Sequence, residues 1–148
     1  MMIISIRGGL MYKKDVLSLD QVRESMDSML NKGLEEPNRP IAIAILDDNT
    51  NLLNYARMDG CRLNPQGVAI RKAYTAVMFG QNSSDFAQRL KNENRQVTDF
   101  GNPSLVAVKG GVVVMSSNGD ILGGIGVSGL TAEEDEEIAL LGLKALDI

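Results

Sequence analysis

An α+β domain, with a five-stranded antiparallel sheet and helices packed around it, is the fold class this sequence predicts. Three observations carry the prediction. Apolar segments of strand length come in pairs joined by short polar turns, 41–46 with 52–58 and 112–116 with 121–128. Such pairs are hairpins, which makes the sheet antiparallel. Segments with helical apolar spacing stand between and outside the pairs, so helices and strands do not alternate one by one as they do in an α/β protein. The length, 148 residues with 44% hydrophobic and 23% charged, suits one core and is too short for two. The domain is expected over 17–148, with 1–16 as an extension. Its opening, MMIISIRGG, reads either as an added edge strand or as a tail.

The first helix starts at Ser18. Ser18 and Gln21 form a capping box, in which each side chain takes an orphan amide. Val22, Met26, Met29 and Leu30 follow at helical spacing, and Lys32-Gly33 predicts a left-handed stop. Ile41 to Leu46 reads IAIAIL, a continuous apolar run and therefore a central strand covered on both faces. Asp47 to Asn51 is a turn and Leu52 to Met58 the returning strand. Asn64-Pro65 predicts an N-cap and first-turn proline for a second helix. Its body, Val68 to Phe79, is apolar almost all round and so buried. A short third helix, 84–90, follows Gly80, and 91–103 reads as a polar loop. Three strands are expected next, at 104–108, 112–116 and 121–128. Asn118-Gly119 between the last two is a strong hairpin signal. Thr131 with Glu134 is a second capping box, and Ile138, Leu141 and Ala145 mark the buried side of the last helix. A profilin-like or PAS-like strand order, 2-1-5-4-3, is the expected arrangement.

Composition excludes several functions. The formal charge is −4 and the pI about 4.8, which argues against binding a phosphate backbone. Aromatic residues make up only 4%, with no Trp, which argues against base-stacking platforms. There is no histidine. A His general base, a His-containing triad and a His-ligated zinc or haem are therefore excluded. The single Cys61 cannot form an intramolecular disulfide. No apolar run approaches membrane-spanning length, and the short apolar start carries no cleavage pattern. A soluble, cytoplasmic protein is the expectation.

Gly124-Ile125-Gly126-Val127-Ser128-Gly129 spells the dinucleotide-binding glycine pattern and lies between a strand and a helix. That function also needs a second parallel strand with an acidic residue about 20 residues further on, whereas nineteen residues, largely helical, follow Gly129. The helix start is also crowded with Glu133, Glu134, Asp135, Glu136 and Glu137. These already complement its positive end and repel a pyrophosphate. The glycines serve either close packing of another backbone or room for a flat ligand.

Lys72, inside the mostly apolar second helix, is the residue most in need of a partner. Asp47 and Asp59 are candidates, with Arg57 nearby. The group reads either as a structural ion pair or as a polar constellation for a carboxylate or propionate. Cys61 has Arg62 close in sequence, but no base to activate it.

Four blocks then resemble the GlcG/HbpS family, which includes the C-terminal domain of PduO-type proteins. They are Arg57-Met58-Asp59-Gly60, Lys72-Ala73 with Thr75-Ala76, Gly110-Gly111-Val112, and Gly123 to Gly129 followed by Asp135 and Ile138-Ala139. The resemblance covers about Leu17 to Leu146. It implies homo-oligomers from dimers to octamers, and a haem-binding or haem-degrading label. The chain departs from the family pattern at Leu130, Val113 and the turn Asp48-Asn49-Thr50-Asn51. A haem here needs a hydroxyl, Tyr, Met or Cys ligand, or no strong axial ligand.

The reading that follows is a small-ligand-binding module for haem or another flat anionic tetrapyrrole. In it, Arg57 and Lys72 meet the anionic groups beside Asp59, Thr75 offers a hydroxyl, and Gly124 and Gly126 leave room. The rival readings are an enzyme using Asp59 and Lys72 as acid and base, and a non-catalytic oligomeric interaction protein. No metal site, nucleic-acid partner or membrane partner is expected.

Overall fold

The computed structural model describes residues 9–148. The edge strand considered for MMIISIRGG falls, apart from Gly9, outside the described residues. Four helices, α1 (Leu19–Gly33), α2 (Leu63–Phe79), α3 (Ser83–Asn92) and α4 (Ala132–Ala145), accompany four strands, β1 (Ala42–Asp47), β2 (Leu52–Arg57), β3 (Gly111–Met115) and β4 (Ile121–Ser128). The sheet is antiparallel throughout, in the order β2-β1-β4-β3.

The two faces of this sheet are built from different residues, because side chains alternate along a strand. Ile43 and Ile45 of β1 and Ile125 and Val127 of β4 join Val22, Met26 and Met29 of α1 and Ile138 and Ala139 of α4 in one apolar cluster. Ala42, Ala44 and Leu46 of β1 pack with Ala69, Ala73 and Val77 of α2 on the other face. β1 is buried along nearly its whole length, as a central strand covered on both sides should be.

The expected fifth strand, Ser104 to Val108, is absent: the segment is irregular. Its polar groups are spent elsewhere. The Val106 amide donates to Thr75 Oγ1 at 3.0 Å, and Ser83 Oγ donates to the Val108 carbonyl at 2.6 Å. Leu105 is drawn into a cluster with Phe86 and Leu90. The outer edge of β3, which a fifth strand would have paired, is occupied by side chains. Asn82 Oδ1 accepts from Val113 N at 3.0 Å and Ser83 Oγ from Gly111 N at 2.8 Å. With that strand removed, the remaining neighbours keep the expected order.

Both capping boxes form, at Ser18–Gln21 and at Thr131–Glu134. Other boundaries differ. Gly33 is helical and the cap, Leu34, is right-handed; a Cβ at Gly33 would meet Ile41 Cδ1 at 2.9 Å, so this glycine answers to packing. α2 is capped by Arg62, not Asn64, and Pro65 falls within its first turn, where its missing N–H costs nothing. α3 runs to Asn92, and a 3-10 turn at Val97–Phe100 interrupts the expected loop. In α4 the buried stripe is Asp135, Ile138, Ala139 and Gly142; Leu141 is exposed.

Candidate ligand-binding site

β4 brings its glycines to α2. A Cβ at Gly126 would collide with the Ala69 carbonyl oxygen, and one at Gly124 would lie 2.6 Å from the Ala73 carbonyl oxygen. The room expected at Gly124 and Gly126 is therefore filled by helix backbone. Glycine permits this approach because it has no Cβ.

Lys72 is 2% exposed. Its Nζ donates to the Val127 carbonyl at 2.9 Å and to Asp135 Oδ2 at 3.0 Å. Neither Asp47 nor Asp59 is its partner. Asp135, 3% exposed, also accepts from Leu130 N at 2.9 Å through Oδ1. Burial pushes the Asp135 carboxyl up, opposed by the Lys72 charge and by the amides of Leu130 and Gly129. The pair joins α2, on one face of the sheet, to the start of α4, on the other. Gly110, at φ +127°, passes so close that a Cβ there would lie 2.6 Å from Lys72 Nζ. Sequence reasoning missed Asp135; the signal that could have found it is its place three, four and seven residues before Ile138, Ala139 and Gly142, on the buried stripe. A carboxylate on such a stripe needs a cation.

The remaining expected residues lie apart. Thr75 is buried, and its hydroxyl donates to the Arg71 carbonyl at 2.8 Å while accepting from Val106 N. It fixes a loop on α2 and is closed off from solvent. Arg57 and Asp59 are exposed at and just beyond the end of β2, and Arg57 donates to Gln66 Oε1. Asp47 holds the β1–β2 turn by accepting from the amides of Asn49 and Asn51, both at 2.9 Å. Burial pushes its carboxyl up, but those amides outweigh it and hold the group below its usual range. Burial pushes the Cys61 thiol up, against Arg57 and Arg62, so it is not an activated thiolate. The six residues do not converge on one opening.

Openings occur elsewhere. A groove of about 480 Å³ lies between Val113 and Met115 of β3 and the end of α4, lined also by Leu143, Lys144, Asp147 and Ile148. A cleft of about 390 Å³ lies between the end of α1 and the start of α4, floored by Gly33, Leu130, Ile138 and Leu141. A third, more polar, of about 430 Å³, separates Tyr12, Lys13 and Lys14 from the two hairpin turns. The β3–α4 groove combines apolar walls with an ammonium, Lys144, and a thioether, Met115. In the α1–α4 cleft the cations are already engaged: Arg39 by Glu36 and Glu134, and Lys32 by Glu35. Among the described residues no helix is long and apolar enough to cross a membrane.

Comparison with known proteins agrees with the fold. The family model described as haem degrading protein HbpS-like matches residues 17–144. The uncharacterized 15.0 kDa protein in the dhaT-dhaS intergenic region of Citrobacter freundii is 29% identical over 113 residues, 76% of this chain and 78% of the relative. A double mutant of HbpS from Streptomyces reticuli superposes with a TM-score of 0.81 at 28% identity, covering 99% of this chain and 97% of that one. The PduOC–haem complex shares the fold, with a TM-score of 0.79 at 21% identity over 88% of this chain and 95% of that one. Matched over nearly its whole length, this chain belongs to the HbpS-like family.

Proposed function

We propose that this protein binds haem, or another flat anionic tetrapyrrole, in the groove between the β3 edge and the end of α4. One observation carries the reading: apolar walls, an ammonium and a thioether meet in a groove of about 480 Å³, a volume within the range of about 300–1,000 Å³ typical of ligand pockets. The family description points to the ligand class. With no histidine in the chain, the Met115 thioether is the lining group that would hold a haem iron, a ligand type that haem iron accepts. Val113, Leu143 and Ile148 would cover the ring faces and Lys144 would meet one propionate. Asp147, on the same rim, would turn the other toward water. Bound haem supplies its own redox chemistry, while the protein binds and orients it. Lys72 and Asp59 do not suit an acid–base pair: the first is buried and engaged by two acceptors, the second exposed beyond β2.

Titration with haemin tests this. A saturable Soret shift at micromolar haemin is expected. Lys144→Glu weakens binding by about two- to fivefold, the scale of an exposed ion pair. Met115→Leu removes the thioether signature from the reduced spectrum. No shift would overturn haem binding; a shift that neither substitution alters would overturn this site.

A further inference from the structure

We propose that residues Leu10 to Lys13 form an exchange arm that docks into the α1–α4 cleft of a second copy of this chain. Among the described residues the arm and the cleft each lack a partner within their own chain, and their chemistry matches. Met11 is 97% exposed, Tyr12 87% and Leu10 63%. Three consecutive apolar or aromatic side chains in water are costly at about 25 cal/mol per Å². The arm carries no regular structure and is anchored where Lys14 pairs with Asp48 at the β1–β2 turn. The cleft has an apolar floor of Leu130, Ile138 and Leu141 and a charged rim. Arg39 is saturated by Glu36 and Glu134, and Lys32 pairs with Glu35. Among the described residues this leaves Glu137 with no cationic partner and Lys13 with no anionic one. An arm reading Leu-Met-Tyr-Lys thus supplies apolar groups for the floor and a cation for Glu137.

Distance makes the contact intermolecular. The anchor lies at the Asp47 end of β1. The cleft lies at the opposite end, where Gly129 packs on Pro40 and Ile41 and Leu130 follows. The six residues of β1 separate the two ends by about 20 Å. From Lys14 back to Leu10 the chain spans at most about 14 Å. The arm therefore falls short of its own cleft and meets another copy's. Because arm and cleft are different surfaces, exchange is either reciprocal in a two-fold dimer or head-to-tail around a closed ring.

Light scattering coupled to size-exclusion chromatography tests the proposal on the full chain. The unmodified protein is expected to be an oligomer. Met11→Ser combined with Tyr12→Ser, and separately Leu141→Asp, are each expected to shift the mass toward the 16.0 kDa monomer. Far-UV circular dichroism should stay unchanged, because all three positions are exposed. Glu137→Lys should raise the dissociation constant and Lys13→Glu in the same chain should restore it, a readout that survives if Leu141→Asp fails to fold. A monomeric unmodified protein overturns the proposal. So does dissociation by the arm substitutions alone, which places the arm elsewhere, or by Leu141→Asp alone, which gives the cleft another occupant. Failure of the charge swap to restore association overturns the Lys13–Glu137 contact.

Discussion

The two faces of the sheet are covered in opposite ways. On the α2 face, alanines and glycines from β1, β4 and α2 meet backbone to backbone, and a lysine is sealed against a carbonyl and a carboxylate. On the α1–α4 face, isoleucines, valines and methionines fill a thicker core, whose helices part at one end to leave the α1–α4 cleft. The motif-like residues of this chain, the glycine run and the buried lysine, thus build the fold. The openings are lined by ordinary surface residues such as Lys144, Met115, Glu137 and Leu141.

The largest effect is expected at Lys72. Lys72→Met removes the cation and leaves Asp135 buried, which should cost about 3–5 kcal/mol, read by denaturant unfolding. Adding Asp135→Asn should recover part of that loss, since the uncompensated charge disappears; no recovery would mean that packing dominates. Gly126→Ala comes next. Its Cβ meets the Ala69 and Ala73 backbone, and forcing α2 off the sheet should cost about 1–3 kcal/mol. An equivalent substitution on the open side, Leu141→Ala, should change unfolding by about 0.5 kcal/mol or less. A fall as large as that at Gly126 would erase the contrast between the faces.

Thr131→Ala should cost about 1 kcal/mol through loss of the α4 cap. The smallest effect is at the cleft rim, where the Arg39 guanidinium and the Thr131 hydroxyl and amide hold the Glu134 carboxyl down from 4.5 to about 2. A depressed carboxyl contributes stability that is present above its unfolded value and lost as pH falls through its folded value. The difference in melting temperature between Glu134→Gln and the unmodified protein should therefore persist at pH 7, shrink below pH 4.5 and vanish near pH 2. A difference that stays constant across that window would show that Glu134 acts through packing.

Much of the fold was legible because it rests on local signals. Ser18 with Gln21 and Thr131 with Glu134 announce helix starts by side-chain chemistry alone, and both boxes form. IAIAIL announced a strand covered on both faces. The failures lie where tertiary contacts overrode local preference. Ser104 to Val108 has the composition of a strand, but Asn82 and Ser83 already hold the edge it would have joined. Asn64-Pro65 resembles a helix start, yet the cap lies two residues earlier, at Arg62. For the site, the need of Lys72 for a carboxylate was legible and the identity of that carboxylate was not, because Asp135 lies 63 residues away.

By itself the sequence determined the antiparallel hairpins, the helix starts, the absence of histidine chemistry and the resemblance that the family match bears out. All are properties of residue type and short spacing, written along the chain. Only the tertiary structure decided that the β4 glycines receive α2 instead of a ligand, that Lys72 answers Asp135, and where grooves remain. Those outcomes depend on which distant surfaces meet at van der Waals distance, and no local pattern encodes the volume left between them.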